Sequence, residues 1–437
     1  MRILLSHGAQ RNLGDIAMLE AVAQQLAVRL PDAAIVVVDR DFDSAVFSLP
    51  QVARHREFTY AIDAPDRWLR RLPWLGDKAP GIHAKATLFM LGRQADRRWS
   101  GQADGVPAAL AAYVAGYDAL LIAGGGFLTD IFYMPLQRMC SLIAAFAQQG
   151  KPVVLTGQQL GPFRWPYAQA ALAATLRRAA FVGLRESTTS QDICRAAGLS
   201  PSGFAVMGDD SLLLAPATPA SVHPLLQQHG CQPGRFLAFN YRLGFYTPQH
   251  AHHLEQACHI LGELAHRLEM PVLVVPVDVS GGATGGATGG AGDDVQVGRR
   301  VQEAIADVEV HVLADRALTP GQVKAVLGQA YGALGASYHF CTFALSMGVP
   351  AVCLVAGPYY GQKAAGLCDF WQDARLALSL PGATVPSAAT RIAQVLEDPG
   401  LRARLPAQAD AAVARWEHIF TTHCIPALAP QGAGHAA

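Results

Sequence analysis

The sequence carries little charge, and the two signs balance. Charged residues make up 16% of the 437 residues, with 34 Lys and Arg against 34 Asp and Glu. A chain without net basic charge has no overall field that attracts nucleic acid or an anionic membrane. The sequence also lacks a run of about 18 uncharged apolar residues, the length that a membrane-spanning helix needs. These absences predict no nucleic-acid partner and no membrane span.

The cysteines lack the spacing of a metal site or a disulfide framework. None of the eight forms a C-x-x-C pair, and several lie inside apolar runs such as AVCLV at 351–355. This pattern indicates reduced, buried thiols. The apolar start MRILL gives way at once to polar residues, so it is too short for a secretory signal. We therefore expect a cytoplasmic protein without a metal site.

Short apolar runs alternate with longer amphipathic ones along most of the chain. Strands are predicted in the first half at RILLSH, AAIVVVDR, DALLIAGGG, KPVVLTGQQ, AAFVGLRE and GFAVMGDD, and in the second half at FLAFNYR, MPVLVVPVDV, VEVHVLAD, AYGALGASY and PAVCLVAG. Strands that alternate with helices form parallel sheets. Because a chain of 437 residues is longer than a single hydrophobic core usually supports, we predict an α/β protein of two Rossmann-like, doubly wound domains. The first covers 1–217 with an insertion at about 56–107; the second covers 218–437 with a glycine-rich loop at 281–292 and a C-terminal helix.

Two segments break the alternation. Residues 56–107 combine Trp68, Trp74 and Trp99 with many arginines. This segment is either a lid whose aromatic and basic side chains contact sugars or lipid head groups, or a peripheral helical pair with solvated arginines. The other segment, GGATGGATGGAGDD, is typical of a flexible loop. No G-K-[ST] follows it, which excludes a phosphate-binding P-loop.

Polar and glycine residues at strand ends are candidate site residues, because ligands of open α/β sheets bind beyond the carboxyl ends of the strands. After the first strand, Asn12, Gly14 and Asp15 lead into a helix whose N-terminal N–H groups favour anions. Alternatively, Asp15 serves only as the helix N-cap. After DALLIA, Gly125 and Gly126 let a ligand approach the backbone closely.

Further candidates follow other strands. Gln158 ends VVLTGQ, and Arg185 directly follows FVGL. An arginine in this position either binds a carboxylate or phosphate, or pairs internally with an acidic residue such as the adjacent Glu186. His339 stands where GASYH passes into a helix, and it is either a buried structural histidine or a residue that faces a ligand. HAHH at 250–253 has no third metal ligand nearby in sequence, which favours a solvated helix start.

Taken in order, these stretches resemble the polysaccharide pyruvyltransferase family. The matching pieces, from about residue 3 to 370, are N-x-G-D-x-A at 12–17, the glycines at 124–126, TGQQLGPF at 156–163, R-E-S at 185–187, MGDD at 207–210, H-x-x-x-F-A-x-x-x-G-V-P at 339–350 and Lys363 in YYGQKAAGL. Each motif is short, so their shared order and spacing carry the resemblance.

The resemblance implies two Rossmann-like domains in a GT-B-like arrangement. It also implies transfer of a pyruvyl group from phosphoenolpyruvate to a sugar hydroxyl of a polysaccharide or glycan precursor, giving a pyruvate ketal without a metal or organic cofactor. The resemblance further implies that the acceptor is an exopolysaccharide or cell-envelope precursor. If that acceptor is linked to a lipid, the protein would contact the membrane only peripherally. His339 is then the acid/base catalyst, Arg185 holds the donor anion and Lys363 supports its phosphate.

The sequence departs from the family pattern at two positions. Asp278 follows the strand MPVLVVPV, where family members often have a histidine, and the other departure lies beside His339. Family members commonly have an arginine two residues before the histidine, where this chain has Ser337. Arg242 in FNYRLGFY is the candidate for the missing positive charge. Alternatively, the donor has changed, or the chain is a non-catalytic relative that has lost an anion clamp. A nucleotide-sugar glycosyltransferase on the same two-domain architecture is the other enzyme class, although no clear pair of glutamates seven residues apart follows GASYH.

Overall fold

The structure, a computed structural model, describes residues 1–7, 12–38, 52–55, 79–93, 106–243, 250–278, 294–315 and 317–428. Contacts group the chain into two compact units. Unit 1 comprises Met1–Gln10, Met18–Asp210 and Arg415–Ala437, and unit 2 comprises Arg11–Ala17 and Ser211–Ala414.

The units differ from the predicted domains at three segments, which are residues 11–17, residues 211–217 and the end of the chain from residue 415. Residues 11–17 belong with unit 2, where the Leu13 N–H donates to the carbonyl oxygen of Val277 at 2.8 Å. The end of the chain belongs with unit 1, where the indole Nε1 of Trp416 donates to Asp210 Oδ1 at 2.7 Å. Hydrogen bonds between segments far apart in sequence thus decide which unit a segment joins, and a single boundary at 217 does not anticipate them.

Unit 1 is built on an eight-stranded parallel sheet in the order β3-β2-β1-β4-β6-β7-β8, with β5 paired to β6. Its strands are β1 Arg2–Ser6, β2 Ala34–Val38, β3 Val52–His55, β4 Ala119–Ile122, β5 Gly125–Leu128, β6 Val153–Leu160, β7 Phe181–Leu184 and β8 Phe204–Val206. The central strands β4 and β6 are buried over their whole length, which explains their continuous apolar runs. The strand order reverses between β1 and β4, and ligands of open α/β sheets bind at such reversals.

The helices of the first half follow the predicted alternation. They are α1 Leu13–Arg29, α2 Ala79–Arg93, α3 Ala108–Ala115, α4 Tyr133–Gln148, α5 Pro166–Leu176 and α6 Thr189–Ala196. In α4, the side chains of Leu136, Met139, Ile143 and Phe146 recur at helical spacing and are buried in the core of unit 1. The apolar face of this helix therefore fixes it on the sheet.

Unit 2 is built on a six-stranded parallel sheet in the order β11-β10-β9-β12-β13-β14. Its strands are β9 Leu237–Asn240, β10 Val272–Val274, β11 Val310–Val312, β12 Gly332–Gly335, β13 Ala351–Val355 and β14 Ala377–Ser379. The helices that follow α6 are α7 Pro219–Gln228, α8 His250–Leu268, α9 Asp294–Ala304, α10 Pro320–Leu327, α11 Tyr338–Ser346, α12 Pro358–Phe370, α13 Val385–Leu396, α14 Pro399–Ile419 and α15 Ile425–Leu428. The strand order reverses here between β9 and β12.

The predicted fold class is confirmed, since both sheets are parallel and alternate with helices. Each apolar run predicted as a strand forms one. The strands β3, β5 and β14 were not predicted, because their sequences VARH, GGFL and ALS each contain only two consecutive apolar residues.

Part of the predicted insertion is described. The helix α2 buries Leu88 and Leu91 in the core of unit 1 and exposes Ile82, Phe89 and Met90. The tryptophans that motivated the lid interpretation and the glycine-rich loop at 281–292 lie outside the described residues. Among the described helices, none is long and apolar enough to cross a membrane.

Candidate active site

His339 lies in unit 2 at the reversal of strand order between β9 and β12. The strand β12 ends at Gly335, Ser337 is the N-cap of α11, and His339 is the second residue of that helix. Its side chain is 7% exposed. The imidazole therefore lies at the carboxyl end of a central strand, where a parallel sheet binds its ligands.

The imidazole of His339 packs directly against Gly14. A Cβ atom at position 14 would lie 2.1 Å from Cγ and Nδ1 of His339, well inside any allowed contact. Only glycine therefore lets the first turn of α1 approach the ring this closely. This contact joins two motifs that are more than three hundred residues apart in the sequence.

The first turn of α1 is capped by Asn12. Its Oδ1 accepts a hydrogen bond from the Gly14 N–H at 2.8 Å, and the helix begins at Leu13. The interpretation of Asp15 as the N-cap is therefore wrong. Asp15 instead lies half-buried in the first turn of the helix, close in sequence to the contact with His339.

Backbone contacts hold this turn within unit 2. Asn12 forms an isolated antiparallel bridge with Asp278, and Leu13 bonds to Val277 as described above. Of the predicted site residues at the start of the chain, Gly14 thus contacts His339, and Asn12 and Asp15 lie in the same turn. The sequence alone does not show this contact, because the turn and His339 are more than three hundred residues apart.

Arg242, which follows β9, forms an ion pair with Asp278. The guanidinium Nη2 lies 2.5 Å from Asp278 Oδ2, and the two side chains are 27% and 15% exposed. Nearby, Asp294 Oδ2 accepts hydrogen bonds from the backbone N–H groups of Val277 and Asp278 and from Asn240 Nδ2. Burial raises the pKa of Asp294, while the positive charge of Arg242 lowers it. The carboxylates therefore order the end of β10 and hold Arg242 in place.

Lys363 lies on α12. Its Nζ is 4.4 Å from the centroid of the Tyr359 ring, a cation–π contact one helical turn away.

Arg185 lies in unit 1 and is almost completely buried. Its side chain is 2% exposed, Nη1 lies 3.3 Å from Asp209 Oδ2, and Nη2 donates to Gln159 Oε1. An internal acidic partner is thus present, but it is Asp209 and not Glu186. Glu186 instead accepts hydrogen bonds from the backbone N–H and hydroxyl of Ser190 in the first turn of α6. The role of Arg185 in holding a donor anion stays a prediction.

Gln158 and the glycines after β4 form the neighbouring strand ends of unit 1. The amide Nε2 of Gln158 donates to the carbonyl oxygens of Ile122, Ala123 and Thr156, so it connects β6 to the end of β4. A Cβ at Gly125 would lie 2.5 Å from the Phe127 ring and 3.2 Å from Nε2 of His7. Gly126 is half-buried in β5.

Asp210 was not among the predicted site residues. It is fully buried, and its carboxylate accepts hydrogen bonds from the Gly124 N–H at 2.7 Å, the Thr156 hydroxyl at 2.6 Å and Trp416 Nε1. Burial raises the pKa of Asp210 to about 7, although these hydrogen bonds oppose the shift. The adjacent aspartates of MGDD were a signal in the sequence, but their partners could not be read from it.

A family model of polysaccharide pyruvyl transferases matches residues 12–357, from the turn that contacts His339 to the residue before α12. The chain belongs to this family. Membership in the polysaccharide pyruvyl transferase family makes the protein a transferase and implies a pyruvyl donor and a glycan acceptor. Among curated proteins, no relative matches.

Solved structures similar to this polysaccharide pyruvyl transferase family member are GT-B glycosyltransferases and epimerases. The UDP-GlcNAc 2-epimerase from Neisseria meningitidis bound to UDP-GlcNAc is 12% identical with a TM-score of 0.59, covering 98% of this chain and 100% of that one. The UDP-GlcNAc 2-epimerase from Methanocaldococcus jannaschii is 8% identical with a TM-score of 0.54, covering 95% and 99%. UGT71G1 from Medicago truncatula complexed with UDP-glucose is 11% identical with a TM-score of 0.54, covering 98% of each chain. At these identities the likeness shows the fold alone.

Proposed function

We propose that this protein transfers a pyruvyl group from phosphoenolpyruvate to a sugar of a glycan precursor and forms a pyruvate ketal. Family membership supplies the reaction class. The observation that carries the proposal is the placement of His339, a nearly buried imidazole at the start of a helix, against Gly14 in the family-matching turn of α1. A histidine held by packing in this way is suited to proton transfer.

The reaction needs a group that both donates and accepts protons near neutral pH. Protonation of C3 of phosphoenolpyruvate makes C2 electrophilic, and one sugar hydroxyl adds to C2 as it loses its proton. Phosphate then leaves C2, and a second hydroxyl adds there and closes the ketal, its proton passing to the phosphate. We assign to His339 the protonation of C3 and the removal of the proton from the first hydroxyl, because imidazole is the side chain best matched to both directions at this pH.

The donor carries a carboxylate and a phosphate, which need positive partners and N–H groups. The N-terminal turn of α1 contacts His339 through Gly14 and contributes the partial positive charge of a helix start, since the N–H groups of Leu13 and Gly14 already bond to Val277 and Asn12. Of the two predicted arginines, Arg242 is 27% exposed and Arg185 only 2%. We therefore propose that Arg242 supplies the charge that Ser337 lacks, with Lys363 of the same unit as a further partner of the donor.

Calorimetry of phosphoenolpyruvate binding to the full chain tests the donor. We expect Arg242→Ala to weaken binding about tenfold or more, because a hydrogen bond to a charged group contributes about 1.5–3 kcal/mol. His339→Gln should bind the donor nearly as well as the wild type but release no phosphate when glycan acceptors are added. The matched control is Arg195→Ala, since Arg195 is an exposed arginine on α6.

Two outcomes contradict the proposal. Unchanged affinity in Arg242→Ala would remove this arginine from the donor site. Absence of phosphoenolpyruvate binding at millimolar ligand, together with clear binding of UDP or a UDP-sugar, would favour the nucleotide-sugar glycosyltransferase, whose fold this chain shares.

We also propose a cytoplasmic location. All eight cysteines are free thiols, and seven of them are buried. Free thiols in this number are typical of a reducing compartment. Cell fractionation tests the location, and recovery with secreted proteins would contradict it.

A further inference from the structure

The helix α2 is apolar on two opposite faces, and only one of them is covered by protein. On the covered face, Leu88 and Leu91 are buried in the core of unit 1. On the other face, Ile82, Phe89 and Met90 recur at helical spacing and are 47%, 48% and 54% exposed. They are three of the five large hydrophobic side chains that are exposed among the described residues. Such grouping of exposed apolar side chains marks an interaction surface.

Aromatic side chains beside α2 extend this exposed face. The ring of Phe89 meets the ring of Tyr167 edge to face, with centroids 6.0 Å apart, and Tyr167 stacks on Trp165 at 5.6 Å. Tyr133, the first residue of α4, packs against Trp165 at 5.8 Å. The rings of Tyr133, Trp165 and Tyr167 are all half-buried. We call the exposed apolar face of α2 together with these three rings the α2 surface.

The α2 surface is built on backbone segments that are fixed to each other. Asp130 Oδ2 accepts hydrogen bonds from the N–H groups of Arg164 and Trp165, both at 2.6 Å. A Cβ at Gly92 of α2 would lie 2.5 Å from the backbone oxygen of Tyr167, so only glycine lets the helix approach this segment so closely. The apolar face and the rings therefore form one continuous surface.

The charged side chains of this surface are positive. Lys85 is exposed on α2, and its Nζ lies 5.0 Å from the ring centroid of Trp165 and 5.2 Å from that of Tyr133. Arg164, the neighbour of Trp165, is exposed as well. The sequences of α2, α4 and α5 contain no Asp or Glu. The helices that build the α2 surface thus add positive charge and no negative charge to it.

This combination of groups favours a lipid membrane over a protein partner. Protein interfaces are depleted in lysine, whereas Lys85 lies on the same face of α2 as the exposed apolar side chains. Tryptophan and tyrosine are enriched at the boundary between membrane and water, where the apolar ring and the polar tip are both satisfied. Basic side chains at that boundary are attracted to the phosphates of anionic lipids. Because the chain has no net charge, this attraction is local to the surface.

We propose that the α2 surface binds membranes that contain anionic phospholipids. The exposed face of α2 enters the boundary between head groups and acyl chains, the three rings lie at the level of the head groups, and Lys85 and Arg164 contact lipid phosphates. With 15 residues, α2 is shorter than the roughly 20 residues of a membrane-spanning helix, so it lies along the membrane surface. The proposal is independent of pyruvyl transfer, because vesicle binding is measured without donor or acceptor.

Cosedimentation of the full chain with vesicles tests the proposal. We expect binding to vesicles of equal parts phosphatidylglycerol and phosphatidylethanolamine, and at least about tenfold weaker binding when phosphatidylcholine replaces phosphatidylglycerol. Met90→Glu removes an apolar group and adds a negative charge, so it should weaken binding to the anionic vesicles at least about tenfold. The matched control is Val28→Glu, since Val28 is 75% exposed on α1 outside the α2 surface. Binding of this control should be nearly unchanged.

A second variant separates charge from apolar contact. Lys85→Gln should weaken binding to the phosphatidylglycerol vesicles about fivefold and leave binding to phosphatidylcholine vesicles unchanged. Since Lys85 and Met90 are both exposed, thermal unfolding of the two variants should match that of the wild type.

Three outcomes would overturn the proposal. The first is absence of wild-type binding to the anionic vesicles, and the second is equal binding of the wild type and Met90→Glu. The third concerns a different occupant and is measured by light scattering without vesicles. A dimer that Met90→Glu converts to monomers would assign the α2 surface to a second copy of the chain.

Discussion

The ion pairs at the strand ends of the two units differ in how deeply they are buried. In unit 1, Arg185 and Asp209 are each about 2% exposed and bond to each other. In unit 2, Arg242 and Asp278 form a similar ion pair with 27% and 15% exposure. The same pair of groups thus occurs once inside the protein and once at a surface that water and ligands reach.

This difference in exposure predicts different effects of substitution in the two units. Removing one partner of a buried ion pair leaves an uncompensated charge at low dielectric, whereas a partly exposed charge is resolvated at once. We therefore expect substitutions in the unit 1 group to change mainly the free energy of unfolding. Substitutions around His339 and Arg242 should change mainly ligand binding and turnover.

The largest expected effect is on stability, in Asp209→Ala. Removal of this carboxylate takes an acidic partner from the buried guanidinium of Arg185, which keeps its hydrogen bond to Gln159, and we expect the free energy of unfolding to fall by about 3–5 kcal/mol. Urea denaturation measures the change. The matched control is Asp192→Ala, whose partner Arg195 is 61% exposed, with an expected loss of about 0.5 kcal/mol or less. Equal losses in the two variants would mean that water reaches Arg185 easily, and the contrast between the units would disappear.

The next effect is on activity, in Gly14→Ala. The new Cβ would lie 2.1 Å from the His339 ring, so the imidazole must move away from its position. We expect phosphate release to fall ~100-fold, because a displacement of about 1 Å at a catalytic group costs this much. Gly361→Ala is the control, since a Cβ there meets only Val355 at 3.7 Å, an ordinary contact. Full activity in Gly14→Ala would show that the position of the His339 ring does not matter for turnover.

Asp210 gives unit 1 a pH-dependent stability. Burial raises the pKa of Asp210 from 3.8 to about 7, so its stabilising contribution is fully present below about pH 4 and is lost as the pH rises through about 7. The free energy of unfolding should therefore decrease across this range. In Asp210→Asn the slope should be reduced. The variant should be less stable than the wild type by about 1–3 kcal/mol at low pH, because an amide cannot accept from all three donors, and this difference should shrink as the pH rises. Urea denaturation at several pH values measures both effects, and an unchanged slope would assign the pH dependence to other groups.

The sequence predicted the architecture well because the strands of both sheets are continuous apolar runs with helices between them. Glycines and polar residues after such runs are visible without a structure, and one of them, Gly14, contacts His339. What it could not give was the partner of each polar group. Asp209 lies 24 residues from Arg185, and Trp416 lies 206 residues from Asp210.

The N-terminal turn of α1 shows the same limit. Its residues were predicted as part of the first domain, and a pattern of strands and helices gives no reason to separate them from it. The bond from Leu13 to Val277 and the packing of Gly14 on His339 place the turn in unit 2. Long-range contacts of this kind depend on the fold as a whole, so local sequence does not reveal them.

The smallest expected effect on stability is in Asp278→Asn, the counterpart of Asp209→Ala. Arg242 remains partly solvated when its carboxylate partner is neutralised, so the free energy of unfolding should fall by about 1 kcal/mol or less. Phosphoenolpyruvate should bind more tightly than to the wild type, because Arg242 no longer shares its charge with Asp278. Urea denaturation and calorimetry on the same preparation measure the two changes. A loss as large as that in Asp209→Ala would show that the second ion pair is also structural, and the donor charge would then have to come from a residue other than Arg242.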